Sequence, residues 1–188
     1  MTDLYEVTRD VHHAAENHGF MQRMTEGAIT QQEWTDWLGA MRVIHEVLDP
    51  YMPYALQRCG QLLIDQCAML PFVPREVRSA TEFARGLTAP ADILGAAYIF
   101  SGAHLRGGAM MRRTLETVGL PCLHLRILPE EATGIEKQIA RLGEDALRAM
   151  RVCVGAADGA RKAFKAIIAI ATEIEAHNAL IGKETNDA

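Results

Sequence analysis

The sequence predicts an all-α, single-domain helical bundle, on three observations. Apolar residues recur at spacings of three and four through most of the chain, while the strict alternation of half-buried strands is almost absent. Helix-start and helix-stop residues punctuate that pattern, among them Thr30 with Glu33, Pro90, Gly27 and Gly119. The 188 residues suit one sizeable core, and no repeat or low-complexity linker divides them. One helical domain over 1–182 is expected, with 183–188 as a polar, frayed tail.

A first helix is expected from Asp3 to His18, and a short one from Phe20 to Glu26 that ends at Gly27. Thr30 and Glu33 form a capping box for the next, with Ile29 and Trp34 spaced as a hydrophobic staple. Its apolar side carries Trp34, Trp37, Leu38, Met41, Ile44, His45 and Leu48, and it stops near Pro50. Further helices are expected over Tyr54–Met69, closed by Pro71 and Pro74, and over Arg75–Arg85, ending at Gly86. Thr88 as cap, Pro90 in the first turn and Asp92 just after it open a helix that runs to Val118. Gly119 and Pro121 terminate it. Glu130–Arg151 reads as amphipathic with an interruption at Gly143, and Asp158–Ile181 closes the chain on a stripe of Phe164, Ile167, Ile168, Ala171 and Ile174.

Composition narrows the function classes. Apolar residues make up 49% and charged residues 23%, ordinary for a globular chain. A net charge of −5 argues against nucleic acid or an anionic membrane as the main partner. The first residues have no basic region followed by an apolar one, and no run approaches a membrane span, so a cytoplasmic protein is expected. Cys59, Cys67, Cys122 and Cys153 lack disulfide or zinc spacing and read as reduced, small hydrophobes.

Two stretches carry chemistry. Thr8, His12 and Glu16 fall at i, i+4 and i+8, on one helix face beside an apolar stripe of Val7, Val11 and Ala14. His12 at that border is either a satisfied core histidine or a metal or haem ligand steadied by the carboxylate one turn on. The helix from Pro90 carries Gly95, Gly102, Gly107 and Gly108, each costing roughly 0.5–1 kcal/mol relative to Ala. Tight helix packing or a bend that lays bare backbone on a flat ligand would compensate.

The Thr-x-x-x-His-x-x-Ala-Glu run of Thr8, His12, Ala15 and Glu16 resembles the proximal helix of the haem oxygenases, bacterial type. Tyr98 to Gly108, with Leu105 and its Gly-Gly pair, resembles their distal helix. Thr30–Asp49 and the Ile-rich run after Ala163-Phe164 resemble two further helices of the family. The resemblance implies a haem oxygenase-like bundle with haem held between the N-terminal helix and a kinked, Gly-rich distal one. Residue by residue, it implies His12 as axial ligand to the haem iron and Glu16 as the carboxylate that orients it. It implies Gly107 and Gly108 as distal backbone against the porphyrin, Gly102 as a further cofactor-binding position, and Tyr98 as part of a distal hydrogen-bonded network. Arg9 and Arg141 would meet the haem propionates.

Three distal positions depart from the family. His104 stands where many members have a water-ordering Asp, Arg106 where Ser is common, and Phe100 where they have a basic residue. His104 can hydrogen-bond a distal water, bind iron as a sixth ligand, or satisfy a local carbonyl. His13 is expected as a solvated neighbour of His12, His45 as a core residue, and His18, His124 and His177 at the surface or at helix ends. Arg112 and Arg113 read as exposed helical arginines, with carboxylate contact as the other possibility.

The resemblance implies opening of haem at a meso carbon to biliverdin, CO and iron, with haem as both substrate and cofactor. O2 and an external electron donor, a ferredoxin or reductase, are the implied partners, since no flavin or dinucleotide fingerprint occurs. A monomer or weak dimer is implied. A second class is a haem carrier or sensor that leaves haem intact, with His104 as sixth ligand. A third is a non-haem enzyme on the same scaffold, di-iron or thiamin-cleaving. The Glu-x-x-His pair of di-iron bundles is missing, and Glu173 with His177 at i, i+4 would need other ligands.

Overall fold

The computed structural model describes residues 3–52, 63, 67–103, 107–126, 145–146, 148–151 and 155–184. These residues form α1 (Leu4–Glu16), α2 (Gly19–Glu26), α3 (Gln31–Leu48), α4 (Arg78–Gly86), α5 (Pro90–Gly102), α6 (Gly108–Thr117) and α7 (Ala157–Glu184). Short 3-10 turns follow α3 at Asp49–Tyr51 and α6 at Leu123–Arg126. The architecture is all-α. No described helix is long and apolar enough to cross a membrane. The helices expected over Tyr54–Met69 and Glu130–Arg151 lie for the most part outside the described residues.

Local signals fix most helix ends. Asp3 caps α1 by accepting from the Tyr5 amide, and Gly27 closes α2 at φ +73, a conformation that disfavours any side chain. At α3 both halves of the capping box form: Thr30 Oγ1 accepts from the Glu33 amide at 3.1 Å, and Glu33 Oε2 from the Thr30 amide at 2.8 Å. Such a cap contributes about 1 kcal/mol. The expected apolar side of α3 is buried throughout, and the Trp34 indole donates to the Pro121 carbonyl at 2.7 Å.

Four expectations shift. On α1 the buried stripe is Leu4, Thr8, Val11 and Ala15; Ala14 is exposed and Val7 half-buried, because Thr8 spends its hydroxyl on the Leu4 carbonyl and can enter the core. α4 starts at Arg78 instead of Arg75, because the Arg75 amide and guanidinium are both held by the fully buried Asp36 of α3. Ala89, not Thr88, is the residue before α5, and no side chain caps it; Pro90 removes one donor that would need a cap. α7 continues through Glu184, beyond the expected end at Ile181.

The last helix is the axis of the bundle. At 28 residues α7 is about 42 Å long, and it packs on α5 most extensively, then on α1, α4 and α3. Glycines make its crossing with α5 close. A Cβ at Gly95 would lie 2.0 Å from the Ala156 carbonyl oxygen, and one at Gly159 would lie 2.2 Å from the Asp92 carbonyl oxygen. Beside this contact Ala96, Ala160, Ala163, Ile170, Ala171 and Ile174 are buried.

Candidate functional site

The helix expected over Pro90–Val118 is described as α5 and α6, on either side of residues 104–106, which lie outside the described residues. α5 ends at Gly102, Ala103 and Gly107 have π-helical geometry, and α6 begins at Gly108. Such turns occur inside helices where a ligand or a bend interrupts the regular ladder. Gly95 is explained by packing on α7, but Gly102 and Gly107 are not: a Cβ at either would meet nothing within 4 Å. Gly108 packs instead, its Cβ position 3.6 Å from the Leu125 side chain.

The open side of Gly102 and Gly107 faces a cavity of about 600 Å³ between α1, the α5–α6 break and α7. That volume suits a cofactor-sized ligand, for which roughly 300–1,000 Å³ is typical. His12, Glu16, Tyr98, Gly102 and Gly107, five of the residues singled out in the sequence, line it together. Its walls are completed by residues the sequence reading did not assign to a site, chiefly Tyr5, Thr25, Met21, Met111, Phe164 and Ile167.

His12 is held from three sides. Its side chain is 36% exposed, at the border of core and solvent. Nε2 lies 3.1 Å from Glu16 Oε1, the Phe164 ring stacks on the imidazole with centroids 4.9 Å apart and planes 27° apart, and Tyr5 meets it edge-on at 6.4 Å. With Nε2 on Glu16, the imidazole could offer that nitrogen to a metal centre in the cavity only once the ring turns to give Glu16 its other nitrogen, and the carboxylate and the aromatic face would then fix its plane. His13 is solvated, with Nδ1 3.6 Å from Glu16 Oε2.

Other candidates fall elsewhere. Arg9 stands in solvent 3.6 Å from Glu6 and does not line the cavity. His104, Arg106 and Arg141 lie outside the described residues. Phe100 is buried behind the cavity between the rings of Phe83 and His45, each 6.2 Å away, so that position is a core position. His45 is fully buried with Nδ1 2.8 Å from Asp49 Oδ1, and His18 begins α2 and hydrogen-bonds Thr172. Arg113 is exposed, but Arg112 is half-buried, 3.9 Å from Glu116.

Two histidine expectations need correction. His124 is not at the surface: it is buried in the 3-10 turn against Trp34, ring centroids 5.9 Å apart, because the Trp34–Pro121 bond draws that turn onto α3. Burial, with a smaller contribution from the charge of His45, pushes its pKa down to about 3. His177 is half-buried, and its partner Glu173 caps α4 by accepting from the amides of Arg78 and Ser79 and from the Ser79 hydroxyl. Burial alone would raise the Glu173 pKa, but those donors carry it below the usual carboxylate range. The carboxylate has a structural task, and among the described residues no three His, Cys, Asp or Glu side chains group to hold a metal ion.

In sequence, no family model and no curated protein matches the chain. In structure it is similar to heme oxygenase-1 of the cyanobacterium Synechocystis sp. PCC6803 in complex with heme, with a TM-score of 0.72 over 98% of this chain and 96% of that one. The fold is that of a haem oxygenase. At 16% identity the likeness is one of fold. Within that haem oxygenase fold, the cavity lies between the N-terminal helix and the interrupted glycine-bearing helix, the arrangement that the sequence resemblance implied.

Proposed function

We propose that the cavity binds one haem through His12 and that the protein is a haem oxygenase, opening haem at a meso carbon to biliverdin, CO and iron. One observation carries the reading. Two segments some ninety residues apart in sequence meet at one cavity, the first bringing an imidazole with its carboxylate, the second bringing side-chain-free backbone. The donor set suits haem: one nitrogen ligand with an orienting carboxylate, and mostly apolar walls.

Haem supplies the oxygen chemistry when bound; the chain supplies ligation, orientation and shelter from water. His12 would hold the iron, with Glu16 and Phe164 fixing its ring. Gly102 and Gly107 would let a flat macrocycle come close to the backbone, where a side chain would hold it off. Tyr98 is buried at the cavity wall, where its hydroxyl would be the polar group of that side. Electrons come from a separate reductase or ferredoxin, in a cytoplasmic setting.

The test is absorption spectroscopy of hemin-loaded protein given an electron donor in air, with catalase present. Loss of the Soret band with growth of a biliverdin spectrum is the expected result. A haem spectrum that persists unchanged would make the protein a haem carrier or sensor, and no haem uptake would overturn the reading altogether.

A further inference from the structure

Haem brings carboxylate arms, and among the described residues that line the cavity there is no lysine or arginine. Arg9 turns outward to Glu6. Arg161 spends both terminal nitrogens, Nη1 on the Val7 carbonyl and Asp10 Oδ1 and Nη2 on Asp10 Oδ2. Arg151 is different. Its Nε and Nη2 bond the two carboxylate oxygens of Asp3 at 2.7 and 2.6 Å, while Nη1 has no hydrogen-bond partner among the described residues. The guanidinium lies over the Tyr5 ring, 5.6 Å from its centroid, and Tyr5 lies edge-on to His12. Tyr5 is itself a wall of the cavity. The Arg151 carbonyl also accepts from the Leu4 amide at 3.0 Å, which ties the residue to the first turn of the helix that carries His12.

We propose that Arg151 anchors a carboxylate arm of the cavity's ligand through its unoccupied Nη1, with Asp3 holding the opposite edge of the guanidinium in place. This rests on the haem reading above. A guanidinium offers two edges, and a planar fork can bridge two carboxylates at once. Asp3 uses one edge, and the side chain is 39% exposed, so an incoming carboxylate can approach the other. Asp3 therefore both positions Arg151 and competes with the ligand for its charge.

The experiment compares equilibrium binding of hemin and of hemin dimethyl ester, which lacks the charged arms, to wild-type protein, Arg151→Gln and Asp3→Asn. Asn keeps an N-cap at the start of α1 while removing the competing charge. Arg151→Gln is expected to weaken hemin binding roughly tenfold, as loss of a charge-assisted hydrogen bond does. Asp3→Asn keeps an amide oxygen to which the guanidinium can donate, so it should bind hemin as tightly as wild type or tighter, and neither change should move ester binding. If both variants weaken hemin and ester alike, the pair is only a structural clamp and the proposal fails. It also fails if Arg151→Gln binds hemin as wild type does. Wild-type protein that takes up no hemin overturns the functional reading itself, an outcome distinct from either.

Discussion

Nε2 of His12 lies 3.1 Å from Oε1 of Glu16, and the other oxygen of the same carboxylate lies 3.6 Å from Nδ1 of His13. One exposed carboxylate thus serves two neighbouring imidazoles, only one of which faces the cavity. For Nε2 to take iron, the His12 ring must turn on the Phe164 face and present Glu16 with its other nitrogen. Removing the charge while keeping the shape, by Glu16→Gln, should lower haem affinity about tenfold, the low end for a partner of a metal ligand. The Fe–His stretching frequency should fall as well, while thermal stability stays near wild type because the group is largely in solvent. Unchanged affinity and frequency would show that Glu16 does not act on the ligand.

The glycines of α5 and the break divide into two kinds, and alanine distinguishes them. Gly95→Ala drives a Cβ into the backbone of Ala156 and Ala160, at 2.0 and 2.5 Å, where nothing flexible can yield. A destabilisation of about 1–3 kcal/mol is expected, several degrees in Tm for a chain of this size. Gly102→Ala meets no atom within 4 Å and should leave Tm unchanged or raise it slightly. Haem titration should reverse the order, with Gly102→Ala the more damaging, since its methyl group enters the cavity. Equal effects of the two on haem binding would contradict the assignment of the open face.

The buried His124 makes stability depend on acidity. Its folded pKa, about 3, lies below the ordinary histidine value. The unfolded chain therefore binds the extra proton first, and the stability His124 gives is complete above about pH 6.5 and falls as pH drops towards 3. Within that window one group contributes a slope of up to about 1.4 kcal/mol per pH unit. Urea unfolding between pH 7 and pH 4.5 should show it, and His124→Gln should flatten it. A profile unaltered by the substitution would place the acid sensitivity in other groups.

What was legible in the sequence was local. The Thr30–Glu33 capping box, the Gly27 stop, Pro90 at a helix start and the buried side of α3 each depend on neighbours a few residues away. What was not legible came from distant partners. Glu173 of α7 caps α4, Asp36 of α3 holds Arg75, and His124 is buried because Trp34 reaches the Pro121 carbonyl. At the site, His12 and the glycines were visible as a pattern with two meanings. Only the crossing of α7 assigns Gly95 to packing and leaves Gly102 and Gly107 for the cavity. Phe164 was visible as one member of a buried stripe, with nothing in its surroundings to say that it would stack on His12.

The most direct test of the central claim is a hemin titration of wild-type protein and of His12→Ala, followed through the Soret band. Wild type should saturate at one haem per chain with the spectrum of a histidine-ligated iron. The alanine variant should lose that spectrum or bind much more weakly, and added imidazole should restore the ligation. Identical spectra and affinities for the two proteins would contradict His12 as the iron ligand, and with it the placement of haem against α1.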